Sequence, residues 1–404
     1  MRWTSGAGAT AALVVLGWAM AGEPVQEPID WARVRQIRQK VDSGQPLTDE
    51  ERAFVRRTIE ARNRGALSRP ATRPRPVTPA ASLPAVSSRP TTSATGFVPL
   101  NEMAAADRYK GEDGGLYGAG RDEPPAEHQK AARSELARIV PLDAQGRPAA
   151  DGRIVFISIG MSNTTMEFSK FKELADRDAA KSPAVVIVDG AQGGRDAPRW
   201  AQTGDGSPWG VLDLRLAGAG VTARQVQVAW VKQVIARPEA IGEFPRYPQA
   251  LKDGLIATLT IARERFPNLR VAYLSSRIYA GYATVSGNPE PYAYESAFAV
   301  RWLIQDQIKG LAALNYDPAK GAVKAPLVLW GPYLWADGLT PRKTGGLVWK
   351  REDLAPDGMH PSQTVGREKV ARILLDFLKT NPYAIPWFQA QRPDAKSPGR
   401  DRPR

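Results

Sequence analysis

Residues able to do chemistry are few in this chain, and that narrows its options. Among 404 residues there is no cysteine, and there are two histidines, His128 and His360. Disulfides, thiolate nucleophiles and cysteine zinc sites are excluded, a multi-histidine metal site lacks ligands, and no metal or cofactor is expected. His360 closes the run Asp357-Gly358-Met359-His360-Pro361. An aspartate three residues before a histidine in a turn can put both side chains in one site. The imidazole then takes a proton from a nucleophile while the carboxylate orients it. The plain alternative is an Asx turn with the imidazole in solvent. His128 lies in an acidic, proline-rich lead-in, Asp122-Glu123-Pro124-Pro125, ahead of any strand.

The matching nucleophile is Ser162, in Gly160-Met161-Ser162-Asn163. A serine at a tight strand-to-helix turn projects its hydroxyl into a crevice, and its own N–H faces the same space. Otherwise Ser162 or Asn163 simply caps the next helix. A second loop, Asp189-Gly190-Ala191-Gln192-Gly193-Gly194, offers backbone N–H groups that can approach an anion, or is merely a turn. It fits no nucleotide fingerprint. A third, Trp230-Val231-Lys232-Gln233, brings an amide and an ammonium to one edge, where either could donate to developing negative charge or be surface polarity.

These loops need a frame that gathers them. Apolar, β-branched runs at 153–160, 184–190, 225–233, 270–277 and 326–331 alternate with amphipathic segments near 165–180, 247–266, 294–312 and 364–379. Near-continuous apolar strands suit a parallel sheet covered on both faces, and the alternation predicts a three-layer α/β/α domain. Ligand sites in such sheets lie beyond the carboxyl ends of the strands, where these loops fall.

Gly-x-Ser-Asn after the first strand, Gly-Gly after the second and Asp-x-x-His-Pro before the last helix resemble the SGNH/GDSL hydrolases, closest to their sialate O-acetylesterase and acetylxylan esterase-like branch. The resemblance spans roughly residues 150–380. It implies a flavodoxin-like fold and metal-free ester hydrolysis through an acyl-enzyme. Ser162 matches the nucleophile, His360 the base and Asp357 its partner. The N–H groups of Ser162 and of Gly193 or Gly194 match oxyanion donors. Gln233 is assigned the third donor position, with Lys232 the alternative. Met161 stands where the family usually has aspartate.

Aromatic residues near these loops suggest a sugar ring stacked in the crevice, or core packing. Asn163, Arg277, Tyr333 and Trp335 are the candidate substrate contacts, Arg277 for an acidic sugar carboxylate or an ordinary ion pair. The expected function is removal of acetyl or similar groups from a carbohydrate. Alternatives are a non-catalytic glycan-binding or envelope scaffold protein, and a lipase or thioesterase.

Outside the core, residues 1–21 carry Met1-Arg2, an apolar run too short to span a bilayer and Ala19-Met20-Ala21, which predicts a cleaved export signal and a secreted or periplasmic protein. No second long apolar stretch predicts a membrane span. Residues 22–65 read as a helical hairpin. Ile29, Trp31, Val34, Ile37 and Val41 stripe its first helix; its second starts at Thr48, capped with Glu51, and carries Phe54, Val55 and Ile59. An envelope partner is one role for it. Residues 66–96 read as a flexible linker, 97–388 as the catalytic domain and 389–404 as a disordered tail. The net charge of +13 is concentrated at the ends: residues 97–388 hold 36 basic against 32 acidic side chains. With no recognition motif in the body, nucleic acid is not an expected partner.

Overall fold

A computed structural model describes residues 47–67, 94–204 and 206–390, together with Asp30, Arg33, Gln36, Ile37 and Lys40. The expected signal segment, nearly all of the linker and tail, Ile29, Trp31, Val34 and Val41, and the side chain of Ile59 lie outside the described residues.

Each apolar run becomes a strand: β1 Ile154–Gly160, β2 Val185–Val188, β3 Val226–Lys232, β4 Val271–Leu274 and β5 Leu327–Trp330. All pair in parallel, in the order β2-β1-β3-β4-β5. Every residue of β1, β3, β4 and β5 is buried, which explains why they show no polar alternation. This is the flavodoxin-like order. It reverses between β1 and β3, whose register places Gly160 beside Lys232, so the chain leaves both strands at one point of the edge.

Right-handed crossovers then dictate the layers. The step from β1 to β2 runs one way and all later steps run the other. Helix α3 (Ser162–Ala175) therefore lies on one face with α8 (Gly366–Thr380) and α9 (Ile385–Phe388). Phe156 of β1 meets Phe168 of α3 and Trp387 of α9 there, each at 5.2 Å between ring centroids. The opposite face carries α4 (Ala197–Trp200), α5 (Trp209–Gly218), α6 (Arg246–Arg265) and α7 (Tyr292–Ile308). The result is the three-layer α/β/α architecture that the sequence alternation predicts.

Two helices depart from the expected pattern. Helix α2 (Ala126–Leu136) forms in the lead-in and packs along β5. Helix α5 forms within the Gly- and Pro-rich insertion at 200–224, burying Trp209, Leu212 and Leu216. The packed body also starts earlier than residue 97, because the Asp337 carboxylate accepts bonds from Thr95 and Gly96 N–H at 2.6 and 2.8 Å.

Helix α1 (Asp49–Leu67) is the second half of the expected hairpin. Its capping box is formed as the sequence predicts: Thr48 N–H donates to Glu51 at 2.7 Å and Glu51 N–H to Thr48 Oγ1 at 3.2 Å. Ile37, Leu47 and Val55 bury against Ala217 of α5, in a cluster separate from the main core.

Candidate active site

Ser162 is the first residue of α3, and Gly160 lets it be there. A Cβ at position 160 would stand 2.3 Å from Thr164 Oγ1 and 2.5 Å from the Lys232 carbonyl, so only glycine fits. Met161 is extended, and the helix begins at once, with Thr165 N–H donating to the Met161 carbonyl at 3.0 Å. The Ser162 N–H is thus one of the unpaired donors of a helix N-terminus.

His360 Nε2 lies 2.7 Å from Ser162 Oγ, and His360 Nδ1 lies 2.5 Å from Asp357 Oδ2. Asp357 Oδ1 accepts the N–H groups of Met359 at 2.9 Å and of His360 at 3.0 Å. Burial alone would push the Asp357 carboxyl up, but these N–H groups and the imidazole outweigh it and hold it below its ordinary value. An ionised Asp357 accepts the Nδ1 proton, which leaves the Nε2 lone pair facing the serine. Gly358 makes the turn possible: its φ is +70°, and a Cβ there would come within 1.8 Å of the Tyr282 carbonyl.

The loop after β2 reaches the same edge. Gln192 N–H donates to the Gly160 carbonyl at 3.0 Å, which seats Gly193 and Gly194 beside the serine turn. Both glycines are exposed, and among the described residues neither N–H has a partner. The loop is rigidly anchored below them. Asp189 accepts the hydroxyls of Ser158 and Thr165 at 2.5 Å and of Ser169 at 2.8 Å, while Arg215 of α5 donates to the carbonyls of Asp189 and Ala191.

The alternatives after β3 separate by burial. Lys232 Nζ is held 2.5 Å from Glu167 of α3, both side chains being at most 1% exposed, so its ammonium is committed to that pair and does not serve as an oxyanion donor. Burial lowers Lys232 to about 8 against the pull of Glu167, and raises Glu167. Gln233 is 3% exposed, and neither atom of its amide has a partner. A buried amide left unpaired is costly, and such groups concentrate at sites of chemistry.

The four candidate substrate contacts are placed differently from expectation. Tyr333 is buried, accepting the Leu100 N–H at 3.0 Å. Trp335 is wholly buried, its indole N–H donating to Glu290 at 2.8 Å. Both belong to the main core. Asn163 is buried and donates through Nδ2 to the Met359 carbonyl at 3.0 Å. Arg277 is 4% exposed, with Nη2 directed at that same carbonyl. Trp200, Trp209 and Trp330 are core residues too, so aromatic abundance does not mark a sugar platform here. His128 sits on α2, its Nε2 2.8 Å from the Val328 carbonyl, and burial lowers its pKa.

Glu167 was not among the sequence candidates, although a signal existed. It stands four residues after Asn163 and four before Phe171, a carboxylate in the buried stripe of α3.

No family model matches the chain, and a search of curated proteins finds no match. Solved structures show low-identity similarity. A diltiazem-metabolizing gut microbial enzyme is 14% identical, with TM-score 0.31, over 58% of this chain and 48% of that one. A GDSL-like lipase from Parabacteroides merdae is 13% identical, with TM-score 0.28, over 55% of this chain and 94% of that one. The periplasmic domain of a lipopolysaccharide acetyltransferase from Salmonella Paratyphi A is 13% identical, with TM-score 0.30, over 62% and 96%. The chain spans about half the length of the first of these.

Proposed function

We propose that the chain is a serine ester hydrolase of the SGNH/GDSL type. The observation that carries this reading is the continuous chain Ser162 Oγ–His360–Asp357, 2.7 and 2.5 Å long, at the carboxyl edge of the sheet.

His360 Nε2 removes the hydroxyl proton as Ser162 Oγ bonds to the ester carbonyl carbon. The resulting oxyanion is met by the N–H groups of Ser162 and Gly193 or Gly194, with the Gln233 amide as third donor. A single such donor contributes about 3–4 kcal/mol to the transition state. Collapse breaks the bond to the alcohol, which takes the proton from His360. Water, deprotonated by His360, then releases the acid and restores the serine.

The finer reading is an exported enzyme removing acetyl or similar groups from a carbohydrate. Its support is the Gly160-Met161-Ser162-Asn163 block for the substrate class and the sequence of residues 1–21 for export. The test is hydrolysis of 4-nitrophenyl acetate by the purified chain beside Ser162→Ala, with phosphonate labelling of Ser162. The variant should lose at least about a thousandfold in kcat. Acetylated xylan and O-acetylated sialosides, run against long-chain esters, then test the substrate class. Absence of both labelling and turnover in the native chain would sink the hydrolase reading.

A further inference from the structure

Behind the catalytic turn lies a buried charge that ordinary packing does not account for. Arg277, three residues past β4, is 4% exposed, yet its side chain makes a single hydrogen bond among the described residues. That bond, 3.4 Å from Nη2 to the Met359 carbonyl, is long, and Nε has no partner. A guanidinium has five donors and stays charged, so burying it without a paired carboxylate is expensive. Something must offset that cost.

The neighbouring charges show what does. Lys232 already occupies Glu167, so Lys232, Glu167 and Arg277 together leave one positive charge in excess. Arg277 feels Glu167 first, then Glu290 and Asp357 among the carboxylates. Asp357 is the one that orients the catalytic imidazole. The contact with the turn is also shared: Asn163, the residue after the nucleophile, donates to the same Met359 carbonyl at 3.0 Å. That carbonyl precedes His360 directly. It is pulled from the serine side by Asn163 and from the β4 side by Arg277.

We propose that Arg277 is a positioning residue for the ester hydrolysis inferred above: through the Met359 carbonyl it fixes the turn bearing Asp357 and His360 against the Ser162 turn.

With two histidines in the chain, the imidazole proton resonances can be followed directly by NMR, and His360→Gln identifies which one belongs to the site. In Arg277→Gln the His360 ring resonances should move, because the turn that carries them loses its tether, while those of His128 on α2 stay in place. On 4-nitrophenyl acetate kcat should fall about tenfold or more with KM little changed, as expected for a displaced catalytic turn. Arg277→Lys keeps a donor but loses the planar fork, so its kcat should lie between those of Arg277→Gln and the native chain.

Unmoved His360 resonances in Arg277→Gln overturn the proposal, and so does a native kcat. A defect seen only in KM for esters carrying a carboxylate overturns it as well, by making Arg277 a substrate contact. If Arg277→Gln does not fold, the His360 resonances and kcat of Arg277→Lys decide: native values for both overturn the proposal. The NMR comparison needs no turnover, so failure of the hydrolase reading is told apart by the native chain showing no activity.

Discussion

At the scale of single residues, the site divides into groups legible in the sequence and groups that acquire meaning only in three dimensions. Ser162, Asp357 and His360 were legible because each sits in a short run whose local geometry is its function. The roles of Glu167 and Arg277 were not, although Arg277 stands out as a candidate carboxylate contact, since the partner of one is on β3 and the contact of the other is a backbone carbonyl 82 residues away. Tyr333 and Trp335 misled because composition counts aromatic rings without saying which way they face. The Glu167–Lys232 pair makes a sharp prediction. Removing one partner leaves the other buried and unpaired, so Lys232→Met should cost about 3–5 kcal/mol in urea denaturation. Replacing both, as Glu167→Leu with Lys232→Met, should recover most of that loss because the desolvation cost disappears along with the attraction. A single variant as stable as the native chain would show that the pair is not closed.

At the scale of elements, the strands were readable because burial on both faces writes a continuous apolar run. Helices α2 and α5 were hidden by the prolines and glycines that precede them, which mark a turn without specifying the element beyond it. The loops above the sheet are joined by Glu290, whose carboxylate accepts the N–H of Ala280 and of Tyr294 at 2.9 Å and the indole N–H of Trp335 at 2.8 Å. It thereby ties together the loop after β4, the start of α7 and the loop after β5. Burial raises Glu290 to about 7, against three donors and the attraction of Arg277. The folded form therefore holds a proton that the unfolded chain, titrating near 4.5, gives up earlier. Stability from that proton is complete below about pH 4.5 and is lost as the pH rises to about 7. Urea titrations across this window should show a decline in the native chain that flattens in Glu290→Gln. A native decline left intact in the variant would assign it to other groups.

At the scale of the whole molecule, the described residues form the core around the sheet, a minor cluster of Ala280, Ala293 and Met359, and a small one formed by Ile37, Leu47, Val55 and Ala217. The last was half visible in sequence. Thr48 and Glu51 announced the start of α1, but its docking surface belongs to α5, the helix the insertion concealed. The contact is not remote from the site, since α5 also supplies Arg215, which holds the Asp189 and Ala191 carbonyls beneath Gly193 and Gly194. The two roles fall on different faces of α5, and Arg215 is fixed to the body by its own bonds. Val55→Asp places a charge in the small cluster, at a cost of several kcal/mol if it stays buried. Undocking α1 is the cheaper response, because the main core does not depend on it. The expected outcome is rapid protease cleavage near α1 in Val55→Asp, a melting temperature for the body within a few degrees of the native chain, and unchanged reactivity of Ser162 toward a phosphonate probe. Loss of that reactivity on undocking would instead mean that α1 holds the glycine loop in place through α5.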